Sequence, residues 1–328
     1  MTTQLSELLA STLQTGRLPG LHATAVVQGG QTLLEYYGTG LDFAWGDSLG
    51  VIEFAPRTLH DVRSVTKSVT ALLYGIALGE GRVPDLGEPL LRHFPAYADL
   101  AVEPDRARLT VEHALTMTLG LRWREDLPYD SPANAEIAME LAPDRYRYVL
   151  EQPILEPPGT RWGYCGGATA LLGGLIAQGT GRRLPDYAEA VLFAPLGMTG
   201  FDWMTGTDGV ASAASGLRLA PRDLARIGEL VLARGAWQGR RVVPADWIDA
   251  MLVPRTRTTW GAGYGYHWYL ETGTGHRVVA AVGNGGQRLF VLPELDLSVA
   301  VTAGNYDDPE HWRTPATLLE QVILPALS

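Results

Sequence analysis

Two strand-rich ends separated by a long helical middle constrain the fold of this chain more than any other feature. Alternating apolar runs at 22–27 and 32–37 predict a hairpin that turns at Gln28-Gly29-Gly30. The C-terminal part adds four strand-like segments and a closing helix, expected at 264–270, 277–282, 288–292, 297–302 and 313–326. Because connections between neighbouring elements are short, we expect one antiparallel sheet built from both chain ends.

The middle of the chain, from about 81 to 204, has helical apolar spacing interrupted by loops rich in proline and glycine. We therefore expect an α/β fold of the α+β type, with an antiparallel sheet flanked by helices. Residues 1–80 and 205–328 would form the α/β domain, and residues 81–204 an inserted all-helical domain. We expect the active site in the cleft between the two domains, where pockets commonly form.

The composition is that of a globular protein and excludes several functional classes. The 328 residues are 46% hydrophobic and 19% charged, and their formal net charge of −10 argues against nucleic-acid binding. The apolar stretch 168–177 is too short to cross a bilayer, so no membrane association is expected. The N-terminal residues lack the features of a secretory signal, which predicts a cytoplasmic protein. The single cysteine, Cys165, excludes an internal disulfide.

Lys67 is the only lysine among 26 basic residues. Arginine can replace lysine wherever only a surface charge is needed, but it cannot replace a lysine that must lose its proton. A single lysine must fall somewhere by chance, so the residues around it decide whether the position has a meaning.

Those neighbours place Lys67 three residues after Ser64, at the start of an apolar run with helical spacing. The two side chains would share one face of a helix, near its N-terminus. A serine hydroxyl needs a base to become a nucleophile, and a lysine becomes a base when burial lowers its pKa. The alternative is a helix cap followed by a lysine that reaches solvent. We favour the nucleophile and base, and we expect burial to hold Lys67 neutral.

Ser64-Val65-Thr66-Lys67 resembles the first motif of the serine β-lactamases and penicillin-binding proteins. Further segments resemble later landmarks of the class C-like branch in the same order, over about residues 20–305: Val111–Leu121, Pro157–Tyr164, Pro195–Met198, Arg222–Gly228 and Gly283–Gln287. Within this branch the chain is most similar to the family VIII carboxylesterases and the 6-aminohexanoate-dimer hydrolases. The resemblance implies the same architecture that the strand and helix patterns predict.

By this resemblance, Tyr164 is the second proton carrier, passing a proton between Ser64 and the leaving group. A tyrosine in a glycine-flanked loop could equally well serve only in packing. The chain departs from the β-lactamases two residues later, where Gly166 replaces the asparagine that hydrogen-bonds the amide side chain of a β-lactam.

The third motif departs as well, because Asn284-Gly285-Gly286 stands where the β-lactamases have Lys-Thr-Gly. We expect the backbone N–H groups of Ser64 and Gln287 to form the oxyanion hole, and Gly286 and Asn284 to contact the substrate. The alternative is that 283–286 is only a turn or bulge between strands.

A rival mechanism comes from Gly46-Asp47-Ser48-Leu49-Gly50, which fits the nucleophile-elbow pattern Gly-x-Ser-x-Gly. Asp223 and either His267 or His276 would complete a triad in the right chain order. The flanking segments do not read as the strand and helix that an elbow requires, so we predict that Ser48 lies in a loop.

The resulting hypothesis is a serine hydrolase that cleaves esters or amides of a small substrate through an acyl-enzyme formed by Ser64, Lys67 and Tyr164. The alternatives are a β-lactamase or D,D-peptidase, and a binding protein of the same fold whose site has decayed. No cofactor or metal is expected, because the seven histidines show no metal-ligand spacing. An aromatic cluster could line an acyl pocket, although alternation along a strand would put half of it in the core: Trp260, Tyr264, Tyr266, Trp268 and Tyr269. The sequence gives no indication of the oligomeric state.

Overall fold

The computed structural model describes residues 2–129, 131–272 and 274–327. Its strands are β1 Leu21–Gln28, β2 Gln31–Tyr37, β3 Thr39–Ala44, β4 Asp47–Glu53, β5 His60–Asp61, β6 Asp202–Trp203, β7 Leu217–Leu219, β8 Ala236–Trp237, β9 Arg240–Arg241, β10 Thr256–Arg257, β11 Gly263–Tyr264, β12 Tyr269–Glu271, β13 Val278–Gly283, β14 Gln287–Leu292 and β15 Leu297–Ala303. Its α-helices are α1 Thr2–Gln14, α2 Val65–Gly79, α3 Pro104–Ala107, α4 Val111–Leu115, α5 Ala135–Glu140, α6 Arg145–Leu150, α7 Gly166–Thr180, α8 Leu184–Ala188, α9 Pro221–Leu232, α10 Ala245–Met251, α11 Arg313–Thr317 and α12 Leu324–Leu327. Short 3₁₀ segments occur at Leu90–His93, Pro95–Val102 and Pro293–Leu295, and π-helical turns at Glu189–Phe193 and Leu318–Ile323.

The central sheet joins the two ends of the chain, as the sequence predicts. Its eight strands follow the order β10-β11-β12-β13-β14-β15-β1-β2, and all neighbours are antiparallel. Helix α9 packs on β14, β15 and β1, and α2 packs against β13 and α7. The predicted α/β class, an antiparallel sheet flanked by helices, is confirmed.

The predicted N-terminal hairpin and C-terminal helix are both present. Strands β1 and β2 pair on either side of Gly29 and Gly30, whose φ angles of 56° and 73° are those that a two-residue hairpin turn requires. At the other end, α11, a π-helical turn and α12 run without a break over 313–327.

The strand expected at 264–270 is wrong in its middle. The structure has two short strands, β11 and β12, which pair with each other across a turn. His267 in this turn has a φ of 60°, which a strand cannot accommodate. The segment is rich in buried aromatic residues, and their spacing in the sequence resembles the alternation of a strand.

The loop expected around Ser48 is also wrong. Ser48 lies on β4, which pairs with β3 in an exposed hairpin. The hairpin turns at Trp45 and Gly46, with φ angles of 56° and 144°. Tryptophan is not a typical turn residue, so Trp45-Gly46 does not mark a hairpin turn in the sequence. The strand that follows the turn and contains Ser48 is therefore not predicted.

All strands of the central sheet lie outside residues 81–204, and within the described part of that range β6 is the only strand among helices and loops. We keep the division into an α/β domain and a helical domain as a proposal. Within the described ranges, every helix is too short or too polar to traverse a lipid bilayer.

Helix α2 is the element that places Ser64, and it is buried over most of its length. At Gly75 a Cβ atom would lie 2.0 Å from Cδ1 of Trp247, so the tryptophan ring packs directly on the helix backbone. The indole N–H of Trp247 donates to the Ala71 carbonyl oxygen at 3.0 Å, which holds the ring in place.

We expect Gly75→Ala to destabilise the protein although alanine favours a helix by about 1 kcal/mol over glycine. The added methyl group has no space beside the fixed Trp247 ring. The free energy of unfolding in urea should fall by about 1–3 kcal/mol, as is typical of overpacking. Gly87→Ala is the control, because no atom would lie within 4 Å of its Cβ and its effect should stay below about 0.5 kcal/mol. Equal effects of the two substitutions would contradict this account of α2.

Candidate active site

Ser64 and Lys67 meet at the N-terminal turn of α2. Ser64 precedes the helix and Lys67 follows three positions later, on the same face. The Lys67 Nζ donates to the Ser64 Oγ at 3.0 Å and to the Ala214 carbonyl oxygen at 3.1 Å. Lys67 is 2% exposed, and Ser64 lines an open cavity. The structure therefore brings together the two side chains that the Ser-x-x-Lys spacing singles out.

Tyr164 lies against the same ammonium, on the loop that leads into α7. Cys165 is the cap residue of this helix and is buried. The Lys67 Nζ lies 4.7 Å from the centroid of the Tyr164 ring, within the range of a cation–π interaction. Burial raises the pKa of the Tyr164 phenol, and the nearby Lys67 and Ser64 offset this only in part. The three side chains that the resemblance names are thus gathered around one buried charge.

The charge state of Lys67 differs from the expectation. Burial alone lowers the pKa of the Lys67 ammonium, but the nearby Tyr164 and the carboxylates of Glu125 and Glu136 outweigh it and raise this pKa above its ordinary value. This direction is opposite to the expected effect of burial, because the site contains more negative charge than the sequence motifs show. In the resting protein Lys67 is a charged donor to Ser64.

Glu125 is the site residue that sequence reasoning missed. Its Oε1 accepts hydrogen bonds from the Gly166 backbone N–H and from the Trp123 indole N–H, both at 2.5 Å. Burial and the neighbouring Glu136 raise the pKa of Glu125 to about 7, and Lys67 opposes this rise. Glu125 stands in a charged stretch that resembles an exposed loop, so no local pattern distinguishes it.

Gly166 is what allows the Glu125 carboxylate to reach the site. A Cβ atom at Gly166 would lie 2.5 Å from the Glu125 Oε1, so any larger residue there would displace the carboxylate. The resemblance associates this position with an asparagine that contacts β-lactam side chains. In this chain the same space holds a carboxylate that comes from another loop.

These residues line a cavity of about 630 Å³ that is open to solvent. Its wall contains Ser64, Glu125 and a set of aromatic side chains: Trp123, Tyr129, Trp162, Tyr164, Trp260 and Tyr269. Of the five aromatic residues singled out in the sequence, only Trp260 and Tyr269 belong to this wall. The other three are buried in the core, where Tyr266 donates to Glu112 at 2.8 Å.

The third motif is a turn, which is the alternative that the sequence left open. Residues 284–286 connect β13 to β14, and Gly285 and Gly286 have φ angles of 83° and 93° that favour glycine. Gly283 ends β13 close to the segment before Ser64, since a Cβ atom there would lie 2.4 Å from the Val62 carbonyl oxygen.

The structure brings only part of this motif to the cavity. Gly283 and Asn284 lie in its wall, whereas Gly286 and Gln287 do not. Gln287 is fully buried, and its side-chain amide pairs with both the N–H and the carbonyl of Ala303. The Asn284 Oδ1 accepts from the Asp307 N–H at 3.1 Å, which leaves the Asn284 Nδ2 as a donor.

The residues of the rival triad are engaged elsewhere. Ser48 is exposed on β4, and Asp223 accepts from Arg226 at 2.6 Å. His267 is buried beside Thr169, and burial lowers the pKa of its imidazole to about 3. His276 lies 3.1 Å from the Glu294 carboxylate near the surface. The structure does not assemble the Gly-x-Ser-x-Gly mechanism.

One group in the described ranges has the composition of a metal site, although the histidine spacing did not indicate it. His22, Asp42 and His60 are buried together, with 2.9 Å between His22 Nδ1 and His60 Nε2 and 3.4 Å between His60 Nε2 and Asp42 Oδ1. Burial lowers the pKa of both histidines, to about 4 for His22 and about 3 for His60. The Arg218 Nη2 lies 3.5 Å from the Asp42 Oδ2, so a cation already balances this carboxylate. His22, Asp42 and His60 therefore form a buried polar cluster with Arg218 beside it.

Comparison with known proteins places this geometry in a family. The family model described as Beta-lactamase matches residues 5–321. The 6-aminohexanoate-dimer hydrolase of Paenarthrobacter ureafaciens is 27% identical over 313 residues, which cover 88% of this chain and 74% of that protein. Esterase EstB of Burkholderia gladioli is 27% identical over 149 residues, 43% of this chain and 37% of the esterase.

The fold agrees with the sequence match. The structure of a class C β-lactamase from Rhodobacter sphaeroides superposes with a TM-score of 0.72, covering 99% of both chains at 20% identity. This structural similarity supports the fold, whereas the sequence relatives named hydrolase and esterase support the type of enzyme. The chain belongs to the β-lactamase family, and it is a serine hydrolase.

Proposed function

We propose that the protein cleaves ester or amide bonds of a small substrate through an acyl-enzyme on Ser64. The observation that carries this proposal is the 3.0 Å contact between the Lys67 Nζ and the Ser64 Oγ, beside the Tyr164 ring. Ser64 attacks the substrate carbonyl, and its proton passes to the Lys67–Tyr164 pair. The same pair then protonates the leaving group, and water releases the acid in the second half of the reaction.

The proton transfer depends on which member of the pair holds a proton. At rest both carry one, since the pKa values of the Lys67 ammonium and the Tyr164 phenol both lie above their ordinary values. Ser64 can lose its proton only after the pair has released one of these two protons. The pair therefore titrates as a unit, and its deprotonated form is the base.

In this proposal N–H groups at the cavity stabilise the oxyanion and hold the substrate. The Ser64 N–H stands at the N-terminus of α2, where the first N–H groups have no acceptor within the helix. The Asn284 Nδ2 is a side-chain donor that we assign to substrate binding, because Asn284 lines the cavity and its Oδ1 is already engaged. The backbone N–H of Gln287 stays the predicted second oxyanion donor, since the buried hydrogen bonds of Gln287 involve its side-chain amide and not this N–H.

The electrostatics of the cavity favour esters and amides over β-lactams. The Glu125 carboxylate fills the position from which an asparagine would bind a β-lactam side chain. Residues 284–286 of the third motif carry no cation at the position where the lysine of the β-lactamases attracts a β-lactam carboxylate. The relatives named 6-aminohexanoate-dimer hydrolase and esterase EstB support the same preference. Cleavage of a β-lactam or a D,D-peptide is the second candidate, supported by the family match.

Treatment with a fluorophosphonate, read out by intact mass, tests the nucleophile. We expect one adduct on the wild type and on Ser48→Ala, and none on Ser64→Ala. Lys67→Arg keeps the charge but cannot act as a base, so labelling should slow by at least about 100-fold. An adduct that is lost in Ser48→Ala and retained in Ser64→Ala would refute the proposed mechanism.

A substrate comparison tests the reaction class. We expect the wild type to hydrolyse 4-nitrophenyl acetate or the amide bond of a 6-aminohexanoate dimer with a higher kcat/KM than a chromogenic cephalosporin. The physical reason is that the Glu125 carboxyl group occupies the space beside Gly166 from which an asparagine would bind a β-lactam side chain. Faster turnover of the cephalosporin would favour the β-lactamase alternative. Wild-type protein that forms no adduct and turns over none of the three would favour a binding protein.

The pH dependence of kcat/KM tests the role of the buried charges. Because the base is the deprotonated Lys67–Tyr164 pair, activity on 4-nitrophenyl acetate should rise about tenfold per pH unit between about pH 7 and pH 9. Glu125→Gln removes a negative charge that raises the Lys67 pKa, so the rise should move to lower pH.

Asp126→Asn is the matched control for this shift. Asp126 is the next residue along the chain and lines the same cavity, but its carboxylate is exposed beside Arg124 and is not among the main causes of the Lys67 pKa shift. We expect its pH profile to match that of the wild type. Equal profiles for Glu125→Gln and the wild type, or equal shifts in the two variants, would contradict the proposed electrostatic role of Glu125.

A further inference from the structure

A second cavity of about 590 Å³ adjoins the one that contains Ser64. The two cavities share four wall residues: Trp260, Tyr269, Val282 and His311. A molecule bound at Ser64 can therefore extend past these side chains into the second cavity. Among the elements that line it are β13, β14 and the C-terminal helix, which contributes Ala316.

The floor of this second cavity is one face of the β13–β14 ladder. Val282 pairs with Arg288, and Ala280 pairs with Phe290, so all four side chains point to the same side of the sheet. Three of them are apolar. Arg288 is the exception, and it stands directly across from the valine that belongs to both cavities.

Arg288 is buried without an ion-pair partner among the described residues. It is 8% exposed, and among the described residues no carboxylate forms an ion pair with it. Its Nη1 donates to the carbonyl oxygens of Gly283 at 3.0 Å and Gln287 at 2.8 Å. Both hydrogen bonds use this one nitrogen, which leaves the Nε and Nη2 donors of the guanidinium with no partner in the described parts of the chain.

Two other buried arginines of this chain form ion pairs with acidic side chains. Arg145 lies 2.6 Å from Asp208 and 3.0 Å from Glu140, and Arg106 lies 2.7 Å from Glu103. Removing an arginine from water without an acidic partner is costly. Of these three arginines only Arg288 is buried without an acidic partner among the residues that the structure describes. It lies in the wall of a cavity that adjoins the one containing Ser64.

The charges of the titratable groups in this cavity favour an anion. Burial lowers the pKa of the Arg288 guanidinium to about 10, so it is charged at neutral pH. His311 is neutral there, because burial lowers the pKa of its imidazole to about 4. Glu271 is the acidic side chain of the wall, and its carboxylate raises the pKa of Arg288, but Glu271 is exposed to solvent, which screens its charge, and it forms no ion pair with the guanidinium.

We propose that the second cavity is a subsite for a carboxylate of the substrate, bound by the free edge of the Arg288 guanidinium. Trp260, Tyr269 and Val282 would pack along an apolar spacer between this carboxylate and the bond that Ser64 attacks. The substrate class is therefore an ester or amide that carries a carboxylate at the end of an aliphatic chain. This inference rests on the proposed function of Ser64.

Two pairs of substrates that differ mainly in one negative charge provide the test. In the first pair the charge is on the acyl side, with mono-4-nitrophenyl adipate and 4-nitrophenyl hexanoate. In the second it is on the leaving-group side, with N-acetyl-6-aminohexanoate and its methylamide. We expect the wild type to prefer the anionic member of at least one pair, and Arg288→Met to reduce that preference about tenfold or more, which is typical for loss of a charge-assisted hydrogen bond.

Arg277→Met is the matched control, because Arg277 also donates from its guanidinium to a backbone carbonyl, that of Leu252 at 2.7 Å, but lies outside both cavities. It should leave the preference unchanged, and Arg288→Lys should retain part of it. Equal loss in Arg277→Met and Arg288→Met would overturn the assignment of Arg288. No preference for the anionic member of either pair in the wild type would also overturn the proposal.

A measurement on the wild type alone covers the case in which Arg288→Met does not fold. Hexanoate should inhibit hydrolysis of 4-nitrophenyl acetate competitively at a concentration about tenfold lower than hexanamide does. Equal inhibition would overturn the carboxylate subsite. Because 4-nitrophenyl acetate carries no carboxylate, its hydrolysis reports on Ser64 separately. A failure of the subsite proposal is thereby distinguished from a failure of the proposed function.

Discussion

A lysine ammonium held almost completely out of water is the constraint on which the site depends. Burial of a charge of this kind is unfavourable unless neighbouring groups compensate for it. Here the Ser64 hydroxyl and the Ala214 carbonyl accept its hydrogen bonds, and the Tyr164 ring lies 4.7 Å away. Glu125 supplies the opposite charge and is itself held by the Gly166 N–H. The same set of contacts that stabilises Lys67 therefore fixes the position of the nucleophile.

This arrangement connects the two parts of the chain that the sequence separates. Ser64 and Lys67 belong to α2, which packs on β13 of the central sheet, whereas Tyr164 and Glu125 come from loops of the helical segment. Because a charge interaction weakens with distance, Lys67 keeps its compensation only while these loops stay against α2. The stability of this contact and the protonation state of the base are thus two consequences of one geometry.

The sequence predicts what depends on short-range patterns. The β1–β2 hairpin, helix α2 and the approach of Lys67 to Ser64 all follow from spacings of a few residues. What the sequence could not predict depends on distant partners. Glu125 reaches Gly166 from 41 positions away, and the turn at His267 follows from packing in a buried aromatic segment rather than from local propensity. The raised pKa of Lys67 depends in the same way on distant residues, since Tyr164, Glu125 and Glu136 cause it.

At both positions where this chain departs from the β-lactamase motifs, another side chain of the protein takes the place of the missing one. Where the asparagine is missing, the absence of a side chain at Gly166 admits the Glu125 carboxylate at 2.5 Å. Where the lysine is missing, Asn284 is fixed by the Asp307 N–H and lines the cavity. A site that decays after losing its function has no reason to retain a buried and compensated Lys67, since such a residue is costly to maintain. The pattern of replacement therefore supports a change of substrate within a working hydrolase.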